Sequence, residues 1–315
     1  MTTKPDVMVL YEQRPKAMAQ LEQAYTLHRW DQAADKAAFL AGHGAKCRAV
    51  AANGHVRIDR AMLDALPNLK LVACSSAGFE SFDVGLMAER GIALTNTSAA
   101  LFDDVADTAI MLLLAARRGL VAADAYVRSG DWVRQGMFPL QRALKGSRLG
   151  IVGFGTIGAA IAHRAQALGV EVSYWNRSPK EANWRYQPDL RTLAAQSDHL
   201  VVAVAGGEGT RGLISREILE ALGPEGLLIN ISRGSVVDQD AMIAALRDGR
   251  LGHAALDVYA QEPTREPSLV CLRNVTLYPH HASGTVETRD AMAQLVVDNL
   301  AAFFAGKALL TPVKL

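Results

Sequence analysis

The stretch Leu149-Gly-Ile-Val-Gly153-Phe-Gly155-Thr-Ile-Gly158 decides the fold. Its first four residues form an apolar strand pattern, and Ile157–Leu168 is predicted as a helix. Three glycines at GxGxxG spacing are weak evidence alone, because they occur in many turns. Between a strand and a helix, Gly153 permits a tight turn, Gly155 lets the backbone approach a pyrophosphate, and Gly158 lets the helix pack on the strand. The helix N-terminus attracts phosphate, so this glycine turn predicts dinucleotide binding.

Short β-rich runs alternate with helical runs on both sides of the glycine turn, a pattern typical of α/β folds with parallel sheets. Further strands are predicted at Val7–Tyr11, Ala49–Ala51, Leu71–Ala73, Ala93–Thr95, Val170–Trp175, His199–Ala205, Leu227–Ile231, Ala254–Val258 and Val275–Tyr278. Helices are predicted at Asp59–Ala65, at Asp104–Arg118 and between Ser283 and Gly306, with an irregular segment at Ser129–Gly146. At 315 residues the chain exceeds one ordinary core. We predict two Rossmann-like α/β domains with doubly wound parallel sheets, one of them an inserted dinucleotide-binding domain.

Composition excludes several classes of protein. Lys plus Arg is 33 and Asp plus Glu is 32, so the chain has no general attraction for nucleic acid or anionic membranes. The three cysteines are far apart and lack CxxC spacing, which argues against a disulfide framework and against a metal site. The N-terminus lacks a signal-peptide pattern, and the longest apolar run, Ala109–Ala116, is too short to span a bilayer. We therefore expect a cytoplasmic protein with neither nucleic-acid nor membrane partners.

The residues after the strand ending at Trp175 bear on cofactor choice. An NAD enzyme usually places Asp or Glu there, to accept a hydrogen bond from the ribose 2′-hydroxyl. Here the sequence is Asn176-Arg177-Ser178. A neutral Asn176 does not repel a 2′-phosphate, Arg177 can pair with it, and Ser178 can donate to it. The alternative is a solvated loop with an incidental arginine. We predict NADP as cofactor, with NADPH preferred over NADH.

Three late segments end predicted strands and carry reactive side chains. Reduction of a 2-ketoacid needs a cation for the carboxylate, a proton donor, and a group that orients the donor and keeps it protonated. Arg233 suits the first role, His280 the second and Glu262 the third, while Asp257 is placed to hold the nicotinamide end. Taken singly, each is an ordinary strand-end or turn residue, and their joint occurrence carries the prediction. His281 stays open as an alternative acid.

In these motifs the chain resembles the D-isomer-specific 2-hydroxyacid dehydrogenases. The resemblance rests on the glycine turn, Asn230–Gly234, Glu262-Pro263, Pro279-His280, and Ser76-Ala77-Gly78-Phe79 followed by Asp83-Val84. It implies that the histidine directly after proline, His280, is the acid, with Arg233 and Glu262 as its partners. It also implies that backbone amides of Ala77-Gly78 bind the substrate carboxylate.

The resemblance also implies the division of the chain and further contacts. Residues 1–98 and 286–315 would form the substrate-binding domain, and 99–285 the NADP-binding domain. A homodimer is expected through the cofactor domains, by the helix after Leu101 and the Ser129–Gly146 arm. Further cofactor contacts are expected at Thr156, Ile157, Val204, Ala205, Thr210, Ile231, Ser232, Arg233, His280, Ala282 and Ser283. Further substrate contacts are expected at Ala52, Asn53, Arg233 and His280.

Within that family, Asn176-Arg177-Ser178 is similar to NADPH-using glyoxylate/hydroxypyruvate reductases. One departure is Val204-Ala205-Gly206-Gly207, which replaces a proline-containing loop common in the family. The prediction is NADPH-linked reduction of small 2-ketoacids to D-2-hydroxyacids. Alternatives are phosphite oxidation, a bulkier 2-ketoacid, or a dinucleotide-sensing binding protein. Glu262 argues against formate dehydrogenases, which pair the histidine with glutamine.

Overall fold

The computed structural model describes residues 4–315, which form two compact units. Unit 1 comprises the described residues up to Leu101 together with Ser283–Leu315, and unit 2 comprises Phe102–Ala282. The sequence predicts that residues 1–98 and 286–315 bind substrate and that residues 99–285 bind the cofactor. That assignment stays a prediction.

The described part of the chain contains twelve strands. They are β1 Asp6–Val9, β2 Thr26–Arg29, β3 Ala49–Ala52, β4 Leu71–Cys74, β5 Ala93–Thr95, β6 Arg148–Val152, β7 Glu171–Trp175, β8 Arg185–Tyr186, β9 His199–Val202, β10 Leu227–Asn230, β11 His253–Leu256 and β12 Val275–Leu277.

Thirteen α-helices are found in the same residues, 4–315. They are α1 Pro15–Ala24, α2 Lys36–His43, α3 Arg60–Asp64, α4 Val84–Glu89, α5 Ser98–Arg117, α6 Leu120–Arg128, α7 Asp131–Gln135, α8 Thr156–Ala167, α9 Leu190–Ala195, α10 Arg216–Leu222, α11 Gln239–Arg247, α12 Pro267–Val270 and α13 Val286–Phe304. Short 3₁₀ turns lie at Trp30–Gln32, Gly44–Lys46, Glu208–Thr210 and Gly234–Val236. No helix among the described residues has the length and apolar character needed to cross a membrane.

Unit 1 is a five-stranded sheet in the order β2-β1-β3-β4-β5, with every pair parallel. Side chains alternate across it, as the pleat requires. Val7 and Val9 face a core that includes Val296 and Leu300 of α13. Met8 lies in the opposite core, with residues of α3 and α4. Because helices cover both faces, the inner strands β3 and β4 are apolar along their whole length.

Unit 2 is a seven-stranded parallel sheet in the order β12-β11-β10-β9-β6-β7-β8. The chain winds outward from β6 through β7 to β8, then returns to place β9 on the other side of β6. The strand order therefore reverses between β6 and β9, and in open α/β sheets ligands bind at the carboxyl ends of strands flanking such a reversal. The two parallel sheets confirm the predicted fold class.

Several elements differ from the sequence-based expectation. Helix α5 begins at Ser98 instead of Asp104, because buried Leu101 and Val105 extend its apolar stripe back past the two aspartates. The strand expected over His199–Ala205 ends at Val202, where the chain turns into the loop before Thr210. Helix α6 was not predicted, and α7 falls inside the segment expected to be irregular. Gly119 and Gly130, both at positive φ, separate these helices.

Candidate active site

The predicted site residues of unit 2 follow neighbouring strands at one edge of the sheet. In spatial order across the sheet, they are His280 after β12, Asp257 and Glu262 after β11, Arg233 after β10, Val204 and Ala205 after β9, the glycine turn after β6, and Asn176 to Ser178 after β7. All seven strands are parallel, so these ends share the carboxyl edge. Residues separated by more than 120 positions in sequence thus belong to one continuous row.

The glycine turn passes close to the end of β9. Gly153 has φ of +96°, and a Cβ added there would lie 2.7 Å from the Val204 nitrogen. A Cβ on Gly158 would lie 2.3 Å from the Gly153 oxygen, so that glycine is needed for helix α8 to pack on the turn. Gly155 differs, because a Cβ there meets nothing within 4 Å. The protein itself therefore gives no reason for glycine at 155, whereas a pyrophosphate lying against the backbone does.

Helix α8 starts directly at the glycine turn. Its N-cap is Gly155, which offers no side-chain hydrogen bond to the first amides of the helix. The amides of Thr156, Ile157 and Gly158 are thus in the first turn, where helices bind anions. The predicted cofactor residues from Gly153 to Gly158 fit the phosphates of a dinucleotide.

The loop after β7 uses Asn176 to organise its own backbone. Asn176 Oδ1 accepts from the Phe154 amide at 3.5 Å, and its Nδ2 donates to the Ser178 carbonyl at 3.1 Å. The side chains of Arg177 and Ser178 are exposed. The loop therefore offers a guanidinium and a hydroxyl to solvent at the position where the adenosine ribose lies in folds of this type.

His280 and Glu262 form the pair expected from the sequence. His280 Nδ1 lies 2.5 Å from Glu262 Oε2, and Glu262 Oε1 accepts from the Tyr259 amide at 2.9 Å. Burial alone would raise the pKa of Glu262. The hydrogen bonds from His280 and Tyr259, together with the charges of His280 and Arg233, outweigh burial and lower that pKa below its usual range. Glu262 is thus kept as a carboxylate that orients the imidazole.

The backbone at His280 is in an unusual conformation. His280 has φ of +49°, a left-handed value that non-glycine residues seldom adopt and that clusters at functional sites. Its amide donates to the Asp257 carbonyl at 2.7 Å. The neighbouring His281 is exposed, and its amide donates to Asp257 Oδ1 at 2.7 Å. The Glu262 carboxylate bonds to His280, which favours that histidine over His281 as the proton donor.

Asp257 is buried and shapes the histidine loop. Its two carboxylate oxygens accept the amides of His281 and Ala282, at 2.7 and 3.1 Å. Burial raises the pKa of Asp257, although these amides and the charge of His280 act in the opposite direction. The structure therefore gives Asp257 a role in fixing the turn, and the expected contact with nicotinamide stays a prediction.

Arg233 is carried by a tightly bonded turn after β10. Asn230 Nδ2 donates to the Arg233 carbonyl at 3.0 Å, and Ser232 Oγ donates to the Val204 carbonyl at 2.6 Å. Arg233 Nη1 donates to the Ser232 carbonyl at 2.7 Å. Ile231 and Ser232 are buried. The turn is thus fixed to the neighbouring β9 loop, and the guanidinium is oriented by its own backbone.

Sequence reasoning missed two residues that build this site. A Cβ on Gly234 would lie 1.8 Å from the Tyr259 carbonyl carbon, so the Arg233 turn can approach the segment after β11 only because residue 234 is glycine. Tyr259 gives its amide to Glu262 and its hydroxyl to the Tyr278 carbonyl, at 2.8 Å. The glycine directly after Arg233 was the available signal, whereas Tyr259 has none in a single sequence.

The remaining predicted cofactor residues lie in two places. Thr210 Oγ1 donates to the Ala205 carbonyl at 2.8 Å and closes the loop that starts at Val204. Ala282 is buried, and its carbonyl accepts from Thr108 Oγ1 at 3.2 Å. Ser283, however, belongs to unit 1, unlike the others.

The predicted substrate residues of unit 1 meet at the carboxyl ends of β3 and β4. Ala52 ends β3 and Asn53 follows it, while Ala77 and Gly78 follow β4. A Cβ on Gly54 would lie 2.1 Å from the Gly78 oxygen, so these two loops are in contact.

Side chains fix the shape of both unit-1 loops. Ser76 Oγ accepts from the Gly54 amide at 3.0 Å, and Asn53 Oδ1 accepts from the amides of His55 and Val56, both at 3.1 Å. Among residues 4–315, the amides of Ala77 and Gly78 donate to no protein acceptor. They are therefore available to an anion, as the resemblance implied.

Comparison with known proteins now decides the family. The model of the family "D-isomer specific 2-hydroxyacid dehydrogenase, NAD binding domain" matches residues 110–282, more than half of the chain. The chain belongs to the D-isomer specific 2-hydroxyacid dehydrogenases. This membership confirms the resemblance read from the motifs, and it makes the protein an oxidoreductase with a nicotinamide-dinucleotide-binding domain.

Named relatives match along nearly the whole chain. Glyoxylate/hydroxypyruvate reductase A of Arabidopsis thaliana is 47% identical over 93% of this chain and 94% of its own length. The 2-ketogluconate reductase of Gluconobacter oxydans is 40% identical over 99% of this chain and 100% of its own. A solved structure of NADPH-dependent glyoxylate/hydroxypyruvate reductase from Sinorhizobium meliloti, in complex with NADP and malonate, has a TM-score of 0.90. Its identity is 38%, over 99% of this chain and 97% of that one.

Proposed function

We propose that the protein reduces small 2-ketoacids, glyoxylate and hydroxypyruvate, to 2-hydroxyacids of D configuration, or to glycolate from glyoxylate, with NADPH as the preferred cofactor. The observation that carries this proposal is the pair of His280 Nδ1 and Glu262 Oε2, 2.5 Å apart. This pair lies at the same sheet edge as the glycine turn and Arg233. A proton donor, a cation and a dinucleotide turn at one edge are what carbonyl reduction requires.

In this proposal each reactive side chain has one task. When bound, NADPH supplies the hydride that adds to the keto carbon. His280 gives a proton to the carbonyl oxygen from Nε2, since Nδ1 is engaged by Glu262. The contact between Glu262 Oε2 and Nδ1 fixes the plane of the imidazole. Arg233 binds the carboxylate, for which a guanidinium has matching geometry.

The NADPH preference rests on the loop after β7. Its Arg177 and Ser178 side chains are exposed, and the first of its residues, Asn176, is neutral. A guanidinium and a hydroxyl suit a phosphate, whereas a ribose 2′-hydroxyl calls for a carboxylate. The NADPH-dependent reductase of Sinorhizobium meliloti, which is 38% identical and was solved with NADP, supports the same assignment.

A substrate and cofactor panel tests the proposal. The purified protein is assayed for oxidation of NADPH and NADH, in parallel, with glyoxylate, hydroxypyruvate, pyruvate and phenylpyruvate. The expected result is a higher kcat/KM with NADPH than with NADH, and turnover concentrated on glyoxylate and hydroxypyruvate. Tight dinucleotide binding without turnover of any ketoacid would overturn the reductase assignment in favour of phosphite chemistry or a dinucleotide sensor.

A second candidate substrate is 2-ketogluconate. It is favoured by the 2-ketogluconate reductase that matches this chain over 99% of its length. Adding 2-ketogluconate to the panel distinguishes this candidate substrate from glyoxylate and hydroxypyruvate. A kcat/KM for this longer ketoacid above that for glyoxylate would move the proposal from small to bulkier substrates while keeping the chemistry.

A further inference from the structure

The loop of residues 176–180 is bonded to three side chains of unit 2. Tyr174, which is 1% exposed, places its hydroxyl between both backbone groups of Lys180. The hydroxyl accepts from the Lys180 amide at 2.9 Å and donates to the Lys180 carbonyl at 3.0 Å. Tyr186 donates its hydroxyl to the Asn176 carbonyl at 3.2 Å. Asn176 Nδ2 donates across the loop to the Ser178 carbonyl at 3.1 Å. The first, third and fifth residues of the loop are therefore fixed.

The same side chains connect this loop to the glycine turn. The ring of Tyr174 stacks on Phe154, the residue between Gly153 and Gly155, with centroids 4.1 Å apart and planes at 28°. Asn176 Oδ1 accepts the Phe154 amide at 3.5 Å. One buried tyrosine thus contacts both the pyrophosphate turn and the 176–180 loop, so the distance between these two parts is set by the protein.

Fixing this loop has a consequence for binding. The side chains of Arg177 and Ser178 are exposed on a loop in which the backbones of Asn176, Ser178 and Lys180 are held by hydrogen bonds. A loose loop that carries a guanidinium loses backbone freedom when the guanidinium binds a phosphate. Each residue that becomes ordered in this way costs free energy. A loop that already has its bound shape avoids that cost.

We propose that Tyr174, Asn176 and Tyr186 are positioning residues that set the preference for NADPH by presenting Arg177 and Ser178 to the 2′-phosphate. The inference rests on the proposed use of NADPH, and it adds that the selectivity depends on residues that act through the loop backbone. The two tyrosine hydroxyls are the parts that can be removed with least disturbance of packing.

The test uses Tyr174→Phe and Tyr186→Phe, with Tyr126→Phe as the matched control. Tyr126 also donates its hydroxyl to a backbone carbonyl, that of Gly136 at 3.2 Å, but far from the 176–180 loop in sequence. Binding of adenosine 2′,5′-bisphosphate and of 5′-AMP is measured by calorimetry, and KM is measured for NADPH and NADH. Each loop variant should bind the bisphosphate about three- to tenfold more weakly, the effect of one hydrogen bond, with 5′-AMP and NADH unchanged. The control should bind all four as the unaltered protein does.

A double variant, Arg177→Ala with Tyr174→Phe, separates this inference from the cofactor proposal. If Tyr174 acts through Arg177, the double variant should bind the bisphosphate no more weakly than Arg177→Ala alone. Equal weakening of the bisphosphate and 5′-AMP in Tyr174→Phe and Tyr186→Phe would overturn the positioning role, as would fully additive losses. If Arg177→Ala itself leaves bisphosphate binding unchanged, the NADPH assignment fails, and this inference fails with it.

Discussion

His280 and His281 are adjacent residues with different surroundings. His280 is held at positive φ and bonded to Glu262, whereas the His281 ring lies beside Tyr278, with centroids 6.1 Å apart. Sequence alone could not choose between them, because the choice depends on which imidazole meets a carboxylate 18 residues away. The resemblance to the family favours His280, and the contact with Glu262 supports that choice.

Replacing each histidine separately tests the assignment. We expect His280→Ala to lower kcat for ketoacid reduction by about 10²–10⁴, the usual contribution of a positioned general acid. His281→Ala keeps the backbone bond to Asp257 and should change kcat less than about threefold. Steady-state kinetics with saturating NADPH measure both, and dinucleotide binding shows that the fold is kept. A larger loss of kcat in His281→Ala than in His280→Ala would transfer the acid to residue 281.

Another histidine, His199, bears on the stability of the folded protein. His199 is fully buried, and Ser147 Oγ donates to the Leu144 carbonyl at 2.6 Å while lying 3.1 Å from His199 Nε2. The serine oxygen therefore accepts, and Nε2 carries the proton of a neutral ring. Burial first, and then the charge of Arg117, lower the pKa of His199 from 6.5 to about 4.

This lowered pKa predicts acid lability. Between pH 6.5 and about 4 the unfolded chain takes up a proton that the folded protein excludes, so stability falls as the pH falls. By pH 5 the loss is about 2 kcal/mol relative to neutral pH. His199→Gln keeps a donor for Ser147 but does not titrate. Urea unfolding at pH 7.5 and pH 5.0 should show a smaller acid-induced loss in His199→Gln, and an equal loss in both proteins would contradict the assignment.

At the scale of elements, two glycines of the glycine turn are needed for different reasons, one for packing and one for cofactor binding. Gly158 serves packing within the protein, since a Cβ there would lie 2.3 Å from the Gly153 oxygen. Gly155 serves no contact within the protein. Its φ of −96° and ψ of −158° are extended values that alanine adopts without strain. The two glycines should therefore respond differently to the same substitution.

We expect Gly155→Ala to fold with an unchanged melting temperature while losing affinity for both NADPH and NADH by roughly tenfold or more, about 1.4 kcal/mol. The added methyl group would stand where the pyrophosphate approaches the backbone. Gly158→Ala should instead lower the melting temperature, because the turn must shift. Thermal unfolding and dinucleotide titration of the two variants provide the check. If Gly155→Ala binds both dinucleotides normally, the pyrophosphate does not lie against residue 155.

Strong local patterns made most elements predictable. The buried strands β9 and β10 and the buried part of β11 carry apolar runs, and the βα unit at the glycine turn was correct to within one residue at each end. The two-residue strand β8 and the edge strand β2 were missed, because neither is an apolar run and each depends on pairing with a neighbour. Short edge elements are specified by tertiary context more than by their own residues.

At the scale of the whole molecule, the sequence predicted that the candidate catalytic residues follow strands of one sheet, but it did not predict the contacts that orient them. Arg233, Glu262 and His280 could be chosen because each follows a predicted strand of one parallel sheet. The contacts that orient them involve Asn230, Gly234 and Tyr259; the glycine directly after Arg233 was a signal in the sequence, whereas Tyr259 had none. The motifs did not determine how these side chains are oriented. That orientation depends on contacts between segments that follow different β-strands and are distant along the chain.

The surface of residues 120–140 bears on assembly. Seven large apolar side chains in this stretch are each more than half exposed: Leu120, Val121, Val127, Trp132, Val133, Met137 and Leu140. Large exposed apolar patches are rare on monomeric proteins, so exposed apolar side chains concentrated in one segment indicate an interaction surface. We propose that this stretch, which overlaps the arm expected to pair two cofactor domains, forms a homodimer interface, and that the protein sediments at twice the chain mass.

Val133→Asp tests the dimer at its most exposed apolar position. Val133 is 92% exposed, so an aspartate there costs an isolated chain little, but it would bury an unpaired charge in an interface. Val286→Asp is the matched control, because Val286 is 62% exposed and begins α13 in unit 1, where a helix N-terminus accepts an acidic residue. Sedimentation velocity over a range of concentrations should show dimers for the unaltered protein and for Val286→Asp, and monomers for Val133→Asp. A monomeric unaltered protein, or a Val133→Asp variant that remains dimeric, would show that two copies do not associate through this stretch.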